Sequence, residues 1–391
     1  MTMENAILAD NKVEPIINGF CAPQFAAIKN AFIKNFQDDG EIGASVSICH
    51  GDEILVHLWG GLANVEQEIP WAENSMVNVW STTKGVTAAC VARAVELGHF
   101  QYTDLVSHYW PEFTGNGLEN VTIAGLLSHQ AGLCGFAAPV DVTIFYDLDR
   151  AAETLIAQEP FWSPGTKSGY HAMTSGFLIS SLMKRTVGVS LKEFVRRELC
   201  VQLNLDLSIG LEDDALERVA QIYPPTDFTS SSMFEMELDK VQQATLSNPI
   251  LDPNVANTPE WRAAEIPAAN GHATTPALAK LYAGVAGDGT IAGADFVGTS
   301  TRSSAISSQI VGTDAVLTFP MDWACGFLRS GPLNIYGPDP DAFGHTGWGG
   351  SFAMGHPGKG YGLAYTPNKM GTEILNDPRS VNIVNAYYEC I

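Results

Sequence analysis

A chain of 391 residues with 46% hydrophobic and 16% charged side chains carries enough apolar material for one large domain or two interleaved ones, which excludes a disordered or fibrous protein. Its 21 Lys and Arg face 43 Asp and Glu, a formal net charge of −22, so nucleic acid and anionic membrane surfaces are not expected as partners. The N-terminal stretch Met1-Thr2-Met3-Glu4 opens without the basic and apolar regions of a secretory signal, and no apolar run reaches the roughly 18 residues of a membrane span, so the expected location is the cytoplasm.

Seven cysteines (Cys21, Cys49, Cys90, Cys134, Cys200, Cys325 and Cys390) are scattered without a Cys-x-x-Cys pair, and are expected as buried free thiols. The nine histidines contain no His-Glu-x-x-His, and the chain has no Walker loop, dinucleotide fingerprint or Gly-x-Ser-x-Gly elbow. The expectation is a mechanism with no metal and no cofactor.

In chain order, apolar residues at Phe25, Ile28, Ala31, Phe32 and Phe36 predict an amphipathic helix over 22–37. The β-rich runs Ala44–His50 and Ile54–Gly60, around Gly51-Asp52-Glu53, predict a hairpin. Ser81-Thr82-Thr83-Lys84 then opens a run of helix formers that ends at Gly98. Residues three apart share a helix face, so the Ser81 hydroxyl and the Lys84 amine stand together at a helix N-terminus, where backbone N–H groups point outward. A second Ser-x-x-Lys, Ser181 to Lys184, falls inside the helix predicted at about 174–186, with Lys184 and Arg185 at its cation-favouring C-terminal end, and is read as structural.

Helical patterns dominate 86–290, with a glycine-stopped helix end at Leu126–Leu133, a turn-rich approach over Phe161–Tyr170 and a further helix from Leu191 to Leu199. Residues 223–270, with Phe228, Met233, Phe234, Met236 and Trp261, read as a long irregular excursion suited to a lid or pocket wall. Short β-candidates return at Trp323–Leu328, Ala342–Gly347, Ser351–Gly355 and Tyr361–Tyr365, followed by a helix over Asp377–Cys390. Strands at both ends with helices between imply an α+β fold: a sheet domain of 1–85 and 300–391, and a mainly helical domain of 86–299.

Three motifs occur in order: Ser81-x-x-Lys84, Tyr170-His171-Ala172, and His345-Thr346-Gly347 before Trp348. With Leu126–Leu133 and Asn270–Ala273, they resemble the serine β-lactamase and penicillin-binding superfamily, and within it the class C β-lactamase-like group that includes family VIII carboxylesterases. The resemblance covers about residues 22–370. It implies a mixed antiparallel sheet flanked by helices, with Ser81 as the acylated nucleophile and Lys84 and Tyr170 sharing the work of a general base. It further implies an oxyanion hole from the backbone N–H groups of Ser81 and Trp348, and substrate contacts from His171, His345, Thr346, Gly347 and Trp348. Either a neutral Lys84, about 4.6 kcal/mol from its ordinary charged state, or a Tyr170 phenolate beside a charged Lys84 would serve as base.

Two departures steer the substrate. Ala172 stands where class C lactamases carry an asparagine, and His345 replaces the lysine that would face a carboxylate. Trp80, Trp162 and Trp348 near the motifs suggest an apolar pocket. The expected activity is hydrolysis of small neutral esters, with a β-lactamase, D-amino-acid peptidase, amide hydrolase or acyltransferase as the alternative on the same site, and a non-catalytic penicillin-binding relative as the alternative outside enzymes.

Overall fold

Gly51 adopts φ +54°, and this left-handed turn folds two β-rich runs onto each other, β2 (Gly43–His50) and β3 (Glu53–Asn64). The structure, a computed structural model, describes residues 16–225 and 237–391. β3 runs past the expected end at Gly60 because Leu62 and Asn64 find partners in the short strand Ile69–Pro70. An edge strand, β1 (Ile17–Cys21), pairs with its other side.

The remaining strands of this ten-stranded sheet come from the far end of the chain: β4 (Ile310–Thr313), β5 (Pro320–Trp323), β6 (Leu328–Arg329), β7 (Phe343–Thr346), β8 (Phe352–His356) and β9 (Tyr361–Pro367). The order is β1-β3-β2-β9-β8-β7-β6-β5-β4, antiparallel throughout. The two ends of the chain meet where β2 pairs with β9, from His50 opposite Tyr361 to Ala44 opposite Pro367. The single strand expected over Trp323–Leu328 is split into β5 and β6, because Gly326 at φ +82° turns the chain back.

β9 is buried on both faces. Leu363 and Tyr365 point toward the helices α1 (Ala26–Asp38) and α5 (Pro378–Tyr388), where they join Ile28, Phe32, Ile383 and Tyr387. Gly362 and Ala364 face α4 (Thr275–Ala286), as the two-residue period of a strand requires. The architecture is α+β, an antiparallel sheet assembled from both ends of the chain and flanked by helices.

The strands of this sheet all fall outside 86–299, yet α4, inside that stretch, packs directly on β9, β2 and β8. A second, three-stranded sheet of Val77–Asn78, Gly271–Ala273 and Leu207–Ile209 ties the approach to Ser81 into the middle segment. One apolar cluster runs through both regions, from Val77 to Phe343 and Met370.

Part of 223–270 is regular rather than irregular. Asp239 and Gln242 form a capping box at the start of a helix over Lys240–Leu246, and Thr258 with Pro259 starts another over Pro259–Ala263. Trp261 is fully buried and donates its indole N–H to Asn78 Oδ1 at 3.0 Å, whereas Phe228, Met233, Phe234 and Met236 lie outside the described residues. All seven cysteines are free thiols, four of them buried. Among the described residues, no helix is long and apolar enough to cross a membrane.

A Cβ at Gly362 would stand 2.0 Å from Ala279 O and 2.4 Å from Ala283 N, both rigid backbone atoms of α4. Gly362→Ala is therefore expected to lower unfolding stability by about 2 kcal/mol or more, read as a shift of the urea midpoint.

Candidate active site

The α-helix that follows Ser81 begins later than the sequence suggests. Trp80–Thr82 form a 3-10 turn, and α2 runs from Thr83 to Glu96. Trp80 takes φ +48°, a conformation that a bulky residue adopts only when its surroundings enforce it. Three contacts do so here. Thr83 Oγ1 donates to Trp80 O at 2.5 Å and accepts from Gly271 N at 2.8 Å, while Val79 N donates to Gly271 O at 2.8 Å. The Asn270–Ala273 stretch therefore clamps the turn that presents Ser81.

Lys84 lies on the first turn of α2 with its Nζ 3.0 Å from Ser81 Oγ, 2.6 Å from Ala172 O and 2.9 Å from Ala268 O. It is only 5% exposed, and burial pushes its pKa well below the ordinary lysine value. A neutral amine has two N–H bonds and one lone pair. The two carbonyls take both N–H bonds, which leaves the lone pair for the Ser81 hydroxyl.

Tyr170 closes the group from the other side, its Oη 2.6 Å from Ser81 Oγ. Burial drives its pKa up, against the hydrogen bond to Ser81, and the nearby Asp314 adds to the rise. Both groups thus favour their uncharged forms, with the phenol donating to Ser81. Lys84 Nζ stands 4.8 Å from the centre of the Tyr170 ring.

β7 delivers the third motif. The chain leaves it through Gly347, where a Cβ would meet Ser351 Oγ at 2.1 Å and Val79 O at 2.3 Å, so only glycine allows this strand end to lie against the Ser81 turn. Ser351 Oγ donates to Val79 O at 2.8 Å and stands 3.1 Å from Thr82 Oγ1, stitching the two segments together. Thr346 and Trp348 line the cavity above Ser81, and Trp348 meets Trp80 edge-on at 5.2 Å. Gly347 itself does not line it.

His345 also borders the cavity, beside Tyr170 and Trp323. Its Nδ1 lies 2.8 Å from Thr346 O, and burial, with Lys84 nearby, lowers its pKa to about 3, so the imidazole is neutral. The expected substrate contact from His171 is corrected. That ring is fully buried, with Nδ1 2.7 Å from Gly169 O and Nε2 accepting from Leu133 N at 3.2 Å, so both nitrogens are spent on the backbone. Trp162 likewise stands away from the cavity, packed where a Cβ on Gly169 would be. In the second Ser-x-x-Lys, on α3 (Thr174–Thr186), Ser181 is buried while Lys184 reaches out to pair with Asp149 at 2.7 Å.

The cavity has a volume of about 720 Å³ and a mostly apolar lining, with Phe145, Met173, Leu246, Leu251, Leu317 and Leu375 among its walls. Segment 245–253 of the expected excursion supplies one wall.

A family model described as Beta-lactamase matches residues 30–386. The chain belongs to the β-lactamase family. Within it, this protein is 31% identical over 364 residues to an esterase/beta-lactamase, LipL, of Mycobacterium tuberculosis, an alignment covering 90% of this chain and 83% of the relative. Among solved structures it resembles a penicillin-binding protein homolog from Caulobacter crescentus (38% identity, TM-score 0.90, 96% of this chain and 100% of that one). It is equally close to a family VIII carboxylesterase (36% identity, TM-score 0.90, with the same coverage).

Two residues that support the site were not legible beforehand. The fully buried Asp314 accepts at Oδ1 from Tyr170 N at 2.9 Å and from Val316 N and Leu317 N at 3.0 Å, and at Oδ2 from Trp323 Nε1 at 3.0 Å. Trp323 in turn stacks on the Tyr170 ring, 5.6 Å between centroids and 2° from parallel. An aspartate followed by apolar residues carries no local sign of this; only its spacing from Trp323 along the β4–β5 turn could have hinted at it.

Several imidazoles in this β-lactamase-family chain are held neutral by burial: His57 and His171 fall to about 4, and His272 and His345 to about 3. The unfolded chain binds these protons near pH 6.5, whereas the folded chain refuses them until far lower. Stability is therefore full above pH 6.5 and declines between there and about pH 3–4. Urea midpoints measured from pH 7.5 down to 4 should fall steadily.

Proposed function

We propose that this β-lactamase-family protein is a serine carboxylesterase working through an acyl-Ser81 intermediate. The observation that carries the reading is the position of Ser81 Oγ between the Lys84 amine at 3.0 Å and the Tyr170 phenol at 2.6 Å. Neutral Lys84 takes the serine proton as Ser81 attacks the ester carbonyl. Tyr170 donates its hydrogen bond to the serine, and as the tetrahedral intermediate collapses the proton held by Lys84 is passed on through Tyr170 to the departing alkoxide, so that both groups return to their uncharged forms. Backbone N–H groups of Ser81 and Trp348 form the oxyanion hole, each worth roughly 3 kcal/mol in the transition state. Water then enters the same path: Lys84 accepts a proton from the attacking water and returns it to the Ser81 oxygen as the acid is released.

The preference for esters rests on two features of the walls. Ala172 offers no side-chain amide, and the neutral His345 offers no cation to a β-lactam carboxylate. A neutral ester needs neither. The cavity, at about 720 Å³, is in the range that holds drug-sized ligands, so an acetyl ester would fill only part of it and longer acyl or aryl esters fit better than small ones.

Ser81→Ala is expected to abolish hydrolysis of p-nitrophenyl butyrate while the wild type forms a covalent adduct on the Ser81 peptide. In the wild type, kcat/KM should be higher for butyrate and hexanoate esters than for nitrocefin. The reverse order would favour the lactamase reading that the name of the Mycobacterium tuberculosis relative also carries.

The identity of the base has its own test. Since Lys84 acts unprotonated and its pKa is lowered, kcat/KM should fall as pH drops below that lowered value, with no alkaline loss before about pH 10 because Tyr170 stays a phenol. Lys84→Arg, which cannot deprotonate in this range, should lose about 10²–10⁴ in kcat. Retention of activity by Lys84→Arg would instead assign the base to Tyr170.

A further inference from the structure

The turn that carries Trp348 is held from behind by the last helix of the chain. Residues Gly347–Ser351 close on themselves, with Gly347 N donating to Ser351 O at 2.7 Å and Gly350 N to Gly347 O at 3.2 Å. One side of this turn borders the cavity through Trp348. Its other side meets α5. Arg379 Nη2 donates to Gly349 O at 2.8 Å, and Ser380 Oγ donates to Gly350 O at 2.5 Å.

Arg379 is fully committed. It is 4% exposed, and its five N–H bonds go to Asp377 Oδ1 at 3.0 Å, Glu41 Oε1 at 2.9 Å, Lys369 O at 2.8 Å, Asp377 Oδ2 at 2.9 Å and Gly349 O at 2.8 Å. The two carboxylates, themselves buried, leave the planar fork one orientation, and that orientation aims an N–H at Gly349. The glycines report how closely the turn is drawn in. A Cβ on Gly350 would stand 2.8 Å from Asp377 Cγ and 2.9 Å from Arg379 Nη2, and a Cβ on Gly349 would stand 2.6 Å from Met370 Cβ.

A salt bridge that served only stability would not have to reach this turn. The contact pattern instead fixes the Gly349–Gly350 and Gly350–Ser351 peptides of the turn whose Gly347–Trp348 peptide carries the Trp348 N–H, and an oxyanion donor is effective only when its N–H is set within a fraction of an ångström. We propose that Arg379, bracketed by Glu41 and Asp377, is a positioning residue that, with Ser380, sets the Trp348 N–H in the oxyanion hole. The proposal rests on the reading of Trp348 as an oxyanion donor. The terminal helix is on this view part of the catalytic machinery, although none of its side chains touches substrate.

The test compares p-nitrophenyl butyrate with its thionoester, whose sulfur is a poor acceptor for N–H donors. Arg379→Lys keeps the charge but cannot make five directed bonds, and Ser380→Ala removes one bond with little loss of volume. Arg379→Lys should lower kcat on the ester by about 10- to 100-fold with KM within roughly twofold, and should shrink the ester-over-thionoester ratio. Ser380→Ala, the milder change, should move both readouts the same way by a smaller factor, and it carries the test alone if Arg379→Lys does not fold. Folded variants with a lowered melting temperature but wild-type kcat and ratio would overturn the proposal and leave the cluster a purely structural one. A wild type with no preference for the ester over the thionoester would remove the Trp348 reading itself, and the proposal with it.

Discussion

The site depends on an amine held where it cannot easily keep its charge. α2 is buried from Thr83 through Ala92, and at Gly85 it lies so close to α4 that a Cβ would overlap the Tyr282 hydroxyl at 1.7 Å. A helix enclosed this tightly carries Lys84 out of water with it. Burial is the one influence that shifts Lys84, and two backbone carbonyls rather than a carboxylate receive its N–H bonds. A carboxylate in their place would favour the charged amine. Burying a lysine without a carboxylate partner costs folding free energy, and the fold spends it to hold the amine 3.0 Å from Ser81 Oγ.

Around that centre, buried ions hold backbone rather than substrate. Asp314 gathers three backbone N–H groups and the Trp323 indole, which ties Tyr170 N to the β4–β5 turn and holds the Trp323 ring that stacks on Tyr170. Arg379 gathers two carboxylates and two carbonyls on the far side of the Trp348 turn. Each is saturated with hydrogen bonds, the condition under which a buried charge rigidifies its surroundings instead of destabilising them. Neither Asp314 nor Arg379 lines the cavity, whose walls are mostly apolar.

Local elements were readable wherever a local force sets them. The helix expected at about 174–186 is found at Thr174–Thr186, and the strands expected at Ala342–Gly347 and Tyr361–Tyr365 are found at Phe343–Thr346 and Tyr361–Pro367. Where long-range contacts compete, the local reading shifts. Ser81 was expected on the α-helix itself, but the clamp from Gly271 and Thr83 draws Trp80–Thr82 into a tighter turn and delays α2 by two residues. The excursion over 223–270 was expected to be irregular, although its capping residues Asp239, Gln242, Thr258 and Pro259 were present to be read.

The amino-acid order by itself put the Ser81 hydroxyl and the Lys84 amine one helical turn apart, and it determined the fold class, because strand-like and helical periodicities are written in the side chains. It also determined what the walls lack, since Ala172 and His345 are chemical facts before folding. Tertiary structure alone decided that burial favours the uncharged forms of Lys84 and Tyr170, that both His171 nitrogens turn to the backbone, and that Asp314 and Arg379 bond to the Tyr170 segment and the Trp348 turn. The reason is common to all of these. Charge state and hydrogen-bond partner depend on dielectric and on atoms within a few ångströms, and those atoms come from segments that are distant in sequence and adjacent only after the two ends of the chain have joined one sheet.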